Sequence, residues 1–484
     1  MKNSLISIVS AILVTCLSVG PALAMEAADA TVAQSPPDVV AQAPSEIVAQ
    51  APAGTVLTGR VSNVDTITRD ILRDEIKLEK YNLTYRLNAA KQGRWKGWRY
   101  FAIQECALGL VEGDLIAMTS YRGHGLHHPE RVHRGTATNG TVLPAFIGFI
   151  VSGGGDAIEL MINGYHYFEA HQNGFSQTQA RLHVAELVNQ IDKKIAERDA
   201  MLREQPSSDA DVAQAQALEG KVLADFRQAA LSEFQRFHIG ASSTLANQQA
   251  FYLLDIAQTV TGAVWSALTM NLINKGKERM CQSSGIIFLV NAAQTMLDPM
   301  LAYGASRVAA KLDERSLRKS GFCQMMTNCG TMSANCSALK KWAVDRQNSG
   351  SPEVNALLSR VKAYDMDSAY HTAQIENYDK ALRNQRKTAM MNTGWGLFIG
   401  GSKLPFGILP TIAGTKLIRG KVVNAYYFTG STVLLPSISA AILDSWRSQI
   451  QGEITYQRLK RQNLLPNQII HTRMAALDQI EAAL

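Results

Sequence analysis

The feature that most constrains this chain is an arrangement that occurs three times: a long polar amphipathic stretch, an apolar segment, a basic turn, then a second apolar segment. The apolar pairs lie at 98–120 and 142–165, at 250–273 and 284–308, and at 393–415 and 422–446. Runs of about twenty mostly apolar residues suit a bilayer, whereas the amphipathic stretches must bury one stripe against other helices. The pattern predicts an all-α, exported protein. About six short apolar segments form three membrane hairpins, and extramembrane amphipathic helices include an antiparallel coiled-coil hairpin.

The units follow from this. Residues 1–24 read as a signal peptide, with Lys2, an apolar run from Leu5 to Leu17, and Pro21-Ala22-Leu23-Ala24 as a small-residue cleavage site. Residues 25–54 form a tether built on the repeat VAQSPPDV-VAQAPSEI-VAQAP, too rich in Ala, Gln and Pro to bury a core. The first unit, 55–170, opens with a helix over 63–90 whose stripe is Val64, Ile67, Ile71, Leu78, Tyr81 and Tyr85, interrupted at Asp74. The second unit, 171–311, opens with helices at 175–203 and 209–237 around Pro206-Ser207-Ser208. Val184, Val188, Ile191, Ile195 and Leu202 make a near-heptad seam on the first of these. A Cys-containing loop at 312–351 leads to the third unit, 352–446, which starts with a helix over 352–390, and C-terminal helices fill 447–484.

Charge orients the scheme. Short loops rich in Lys and Arg stay on the cytoplasmic side. The three turns carry Arg122 to Arg134, Lys275-Gly276-Lys277-Glu278-Arg279, and Lys416, Arg419 and Lys421. With a cleaved signal peptide and six crossings all three fall inside, and the tether, the helical arms and the Cys loop fall outside. The location is then a bacterial inner (plasma) or internal membrane. A mean hydropathy of −0.06 requires that large polar helices accompany the membrane part. The net charge of +7 is spread along 484 residues and gives no basic patch for nucleic acid. A second architecture fits the same pattern: an exported helical bundle that packs these segments in a core. Glu105, Glu112 and Asp114, the run Gly153-Gly154-Gly155-Asp156, and Asp298-Pro299 all interrupt the apolar runs.

Charges inside hydrocarbon cost a few kcal/mol and so face cavities or partners. Asp156, Asp255, Asp298, Lys403 and Asp444 lie in the apolar segments. Asp255 and Asp444 fall near the outer ends, where water reaches them, which leaves Asp156, Asp298 and Lys403 as the buried ionisable candidates. Asp156, Asp298 and Asp444 are spaced 142 and 146 residues apart, as in a triplicated unit. Gly400, Gly401, Gly407 and Gly414 suit close helix contact.

Two of Cys323, Cys329 and Cys336 are disulfide candidates on the oxidising side. Cys106 and Cys281 read as small buried hydrophobes. His124, His127, His128 and His133 are the metal candidates, and a basic Gly-containing loop is the plainer reading, because no carboxylate pair or Cys accompanies them. No phosphate loop, Gly-x-Ser-x-Gly elbow or His-Glu-x-x-His helix occurs, so no catalytic residue or cofactor is expected. The reading is a non-enzymatic envelope membrane protein whose exported arms bind a protein partner or a second copy of the chain. A transporter or channel subunit using the buried ionisable residues is the alternative, and an exported soluble helical-bundle binding protein comes third.

Overall fold

A computed structural model describes residues 62–89, 94–128, 142–204, 207, 209–275, 279–322, 329–348, 352–415, 421–462 and 465–484. The signal peptide and the tether lie outside the described residues. Among these residues the chain is nearly all α-helix and contains no strand. In chain order the helices are α1 (Ser62–Ala89), α2 (Arg94–His127), α3 (Leu143–Gln172), α4 (Gln177–Glu204), α5 (Ala210–Lys275), α6 (Arg279–Lys319), α7 (Gly330–Asp345), α8 (Pro352–Thr415), α9 (Lys421–Arg461) and α10 (Pro466–Ala483).

The helices build two bodies that share backbones. Helix α5 runs 66 residues without a break, about 100 Å at 1.5 Å per residue. It joins the expected helix at 209–237 to the apolar segment at 250–273, and α8, 64 residues long, joins 352–390 to 393–415 in the same way. Nothing in 238–249 can stop a helix: no proline occurs there, and Gly240 alone costs only about 1 kcal/mol. Asp74, Gly153-Gly155 and Asp298-Pro299, which interrupt the apolar pattern, lie within continuous helices. The expected loop at 312–351 contains the end of α6 and all of α7.

The polar body is formed by α1, α4, α7, α10, the N-terminal parts of α5 and α8, and the end of α6. The stripe residues Ile67, Ile71, Leu78 and Tyr85 of α1 are buried, as are Val184, Val188 and Ile191 of α4. They share one core with Val222, Phe226 and Phe234 of α5, Met332 and Leu339 of α7, and Tyr364 of α8. Helix α10 adds a smaller apolar patch in which Ile470, Leu477 and Ile480 meet Ile76 and Leu83 of α1.

This core is heavily charged. Asp74 is held by Lys77 at 3.0 Å and Lys194 at 2.5 Å. Burial alone would push its carboxyl up, but those two lysines outweigh burial and hold it below the usual range. Arg473 of α10 pairs with Glu79 at 2.7 Å and with Asp367, and lies over the Tyr370 ring. Glu75, one turn from Glu79, is buried, and neither of its carboxyl oxygens meets a donor. Burial, reinforced by Asp367, Glu79 and Asp74, pushes Glu75 far above the carboxylate range.

A carboxyl with a raised folded pKa binds its proton more tightly folded than unfolded. The resulting stability is fully present below the unfolded value and is lost as pH rises towards the folded one. The Glu75→Gln protein should therefore be more heat-stable than the parent at pH 8 and lose less stability between pH 5 and pH 8. Thermal unfolding followed by circular dichroism across that range measures the difference, and parallel pH profiles would refute it.

The apolar body consists of α2, α3, α6, α9 and the C-terminal parts of α5 and α8, packed antiparallel in a closed ring in the order α2, α3, α5, α6, α8, α9 and back to α2. The seams are specific. Thr261 of α5 donates to Gln294 of α6 at 2.7 Å, Phe406 of α8 lies 5.8 Å from Tyr427 of α9, and Thr119 of α2 donates to Ser431 of α9 at 2.9 Å to close the ring. Among the described residues four helices, α3, α6, α8 and α9, carry a stretch long and apolar enough to cross a membrane. The α2 segment, which carries Glu105, Glu112 and Asp114, and the α5 segment, diluted by Gln258, Thr259, Thr261, Ser266 and Thr269, are not among those four.

Candidate functional site

Helix α3 is inside-out. Its buried face is Ala145, Gly148, Ser152, Gly155, Asp156, Glu159 and Asn163, every one small or polar. Ile147, Ile150, Ile158 and Met161 are exposed on the other side. A helix in water does the reverse.

The buried polar face of α3 meets polar groups of α2 and α5 in successive layers. Nearest the polar body, Lys96 of α2 donates to Asn163 at 2.9 Å and to Gln248 of α5 at 3.3 Å. Next, Arg99 lies 2.7 Å from the wholly buried Glu159. One turn further, Gln104 donates to Asp156 Oδ1 at 3.3 Å and accepts from Ser152 at 2.6 Å. The Tyr100 hydroxyl also reaches Asp156. Gly153 and Gly155 permit this approach, because a Cβ on Gly153 would collide with Thr259 of α5 and one on Gly155 with Ile103 of α2.

The layer continues across α5 into α6 and α8. Asp156 and Asp255 lie within hydrogen-bond reach of each other, and Ser152 also reaches Asp255. Lys403 of α8 donates to Asn291 Oδ1 at 2.8 Å and Thr295 Oγ1 at 2.7 Å, both on α6, and interacts electrostatically with Asp255 and Asp298. With its amide nitrogen turned towards Asp298, Gln258 donates to Oδ2 at 3.1 Å and accepts from Lys403 at 3.1 Å. Asp156, Asp298 and Lys403 are all buried, and the structure brings them into one connected group.

Asp255 is the link between them, although its position near the expected end of a segment suggested contact with water. It is half-buried, because α5 does not end there but runs on into the polar body. Asp444 on α9 is half-buried and stands outside the group. Beyond the charged layers the ring is filled with rings of another kind. Trp265, Phe288 and Phe406 pack at centroid distances of 4.8–5.4 Å, with Tyr427 alongside, on the side away from the polar body.

The other sequence candidates are placed as follows. His124 and His127 are exposed in the last turn of α2, with His128 just after it and 5.1 Å from His124 between ring centroids. His133 lies outside the described residues, among which no group of three or more His, Cys, Asp or Glu could hold a metal ion. Cys329 and Cys336 are buried, and Cys323 lies outside the described residues. Burial pushes the Cys336 thiol up to about 11, which makes it an inert core residue. Cys281 is buried, whereas Cys106 is exposed on α2.

No family model, curated protein or solved structure matches this chain.

Proposed function

We propose that the chain is a non-enzymatic component of a bacterial envelope membrane. The ring of α2, α3, α5, α6, α8 and α9 sits in the bilayer as three hairpins, and the polar body stands outside as exported helical arms that bind a protein partner or a second copy of the chain. The observation that carries this reading is the inside-out face of α3, with Asp156, Glu159 and Asn163 inside and Ile147, Ile150 and Met161 outside. Exposed apolar residues on the other candidate spans extend it: Ile286, Val290 and Leu297 on α6, Leu397, Phe398 and Ile408 on α8, and Val433 and Leu443 on α9. A patch of this extent in water would drive aggregation, whereas lipid covers it without penalty. The internal prolines, Pro299, Pro405, Pro410 and Pro436, all fall in this part, and proline inside a helix is tolerated in membrane spans.

Membrane fractionation tests this. The protein is expected to resist alkaline carbonate and urea washes and to leave the membrane only with detergent. Release by the washes would make it the exported soluble bundle instead.

A second reading, a transporter or channel subunit, is favoured by one observation: the connected line Asp156, Asp255, Lys403 and Asp298 inside the ring. Solute flux in reconstituted vesicles supports that reading. A stable co-purifying protein without flux supports the arms.

A further inference from the structure

The polar line carries more charge than its partners neutralise. Three carboxyls, Asp156 on α3, Asp255 on α5 and Asp298 on α6, face a single ammonium, Lys403 on α8. The neighbouring cations are committed elsewhere: Arg99 pairs with Glu159, and Lys96 lies one layer away on Asn163 and Gln248. Among the described residues, the phenols Tyr100 of α2 and Tyr252 of α5 also face this layer. Fully ionised, the layer would hold a net charge of −2 inside a ring whose outer surface is apolar, and a protein interior does not tolerate uncompensated charge of that kind. Asp156 is wholly buried and its Oδ2 meets no donor, although the Asp255 carboxyl is within hydrogen-bond reach. Two carboxylates cannot hydrogen-bond without a proton between them.

We propose that Asp156 and Asp255 together hold one exchangeable proton inside the ring, and that Lys403 and Asp298 form the charged pair beside it. Loading takes one proton from water, forms one O–H bond on either carboxyl and changes the layer from −2 to −1. Release returns the same proton to water and restores the second carboxylate, and nothing else is consumed. The layers of Glu159, Arg99, Asn163 and Lys96 lead from the pair towards the polar body, and exchange follows them to the arm side. This inference rests on the ring being embedded, and it gives the transport reading a ligand, the proton.

Infrared difference spectroscopy of the purified full-length protein in lipid nanodiscs at neutral pH tests it, with the protonated-carboxyl band as the readout. The parent protein should show the band. Asp156→Asn and Asp255→Asn should each lower it by one carboxyl, because the surviving carboxylate then accepts from an amide and needs no proton. Lys403→Met should increase it by about one carboxyl, since the layer loses its only cation. Circular dichroism and size exclusion confirm that each variant is folded, and any two of the three decide the matter. No band in the parent overturns the proposal. A band that keeps its full parental intensity after either Asp→Asn change also overturns it, because the proton then belongs to one residue and is not shared. The wash experiment separates the two possible failures: a protein released by carbonate refutes the embedded ring, whereas an embedded protein without the band refutes only the shared proton.

Discussion

Glu219→Leu is expected to lower the unfolding free energy of the polar body by about 3–5 kcal/mol, the usual consequence of removing one partner from a buried ion network. Glu219 lies on α5 with 1% of its surface exposed. It accepts from Arg360 Nε at 2.8 Å, Arg198 Nη2 at 3.1 Å and the Tyr364 hydroxyl at 2.8 Å, which ties α4, α5 and α8 together at one point. Burial alone would push its carboxyl up, but the two guanidiniums outweigh burial and hold it below its usual value.

Leucine leaves the two arginines unequally placed. Arg360 keeps its pairing with Asp65 of α1. Arg198, wholly buried, keeps Thr68 and the Gln216 carbonyl, but its nearest remaining carboxylate is the exposed Asp199 at 3.8 Å. A buried cation without a counter-charge is the main cost. The same reasoning gives the control: the double change Arg198→Met, Glu219→Leu should recover most of the loss, because it removes the stranded charge along with its partner. Thermal or urea unfolding of the detergent-solubilised protein, followed by circular dichroism, measures both. A single variant within about 0.5 kcal/mol of the parent, the range expected for surface substitutions, would mean that the three groups are not the buried network described.

The parts of the fold that were readable in the sequence are those set by local pattern. Three- and four-residue spacing marks the stripe of α1 and the seam of α4, and the apolar runs mark where α2, α3, α6 and α9 lie. Gly400, Gly407 and Gly414, seven residues apart, occupy one face of α8. Asp156, Asp298 and Lys403 stood out because a charge in an apolar run has to be satisfied by something. The partners that satisfy them were not readable, because the pairings join residues far apart in the chain: Lys403 and Asn291 are separated by 112 positions, and Arg473 and Glu79 by 394. The continuity of α5 and α8 was missed for a different reason. Composition changes sharply from polar to apolar along each, which resembles a boundary, yet a helix ends where a residue cannot hold its backbone and not where its surroundings change. Glu219 and Glu75 gave no signal at all, since a lone Glu on an amphipathic helix is ordinarily solvated.

The second large effect is expected at the α6–α8 seam, where Gly414→Leu and Gly407→Leu should each prevent the ring from closing. A Cβ on Gly414 would collide with the backbone of Gln282, and one on Gly407 would lie 2.7 Å from Leu289 Cγ and 3.1 Å from its backbone nitrogen. From the other side, a Cβ on Gly285 would meet the Gly407 carbonyl and the Thr411 nitrogen at 2.6 Å. Where the obstacle is backbone, no rotamer change relieves it and the helices must separate, at a cost of about 1–3 kcal/mol or more for each overpacked site. In lipid this loss has no compensation, because the tails are as apolar as the leucine and helix association depends on close van der Waals contact.

Gly401→Leu is the matched control, because a Cβ there would meet nothing within 4 Å. It should melt within a degree or two of the parent, whereas the other two should give aggregated or early-melting protein in detergent. Lys403 sits on α8 between Gly400 and Gly407 and spans the same seam to reach Asn291 and Thr295. Pushing α8 outward therefore removes its partners as well as the packing. A Gly407→Leu protein that melted like the Gly401→Leu control would show that α6 and α8 stand further apart, too far for the Lys403 contacts, and would undo the polar layer together with the seam.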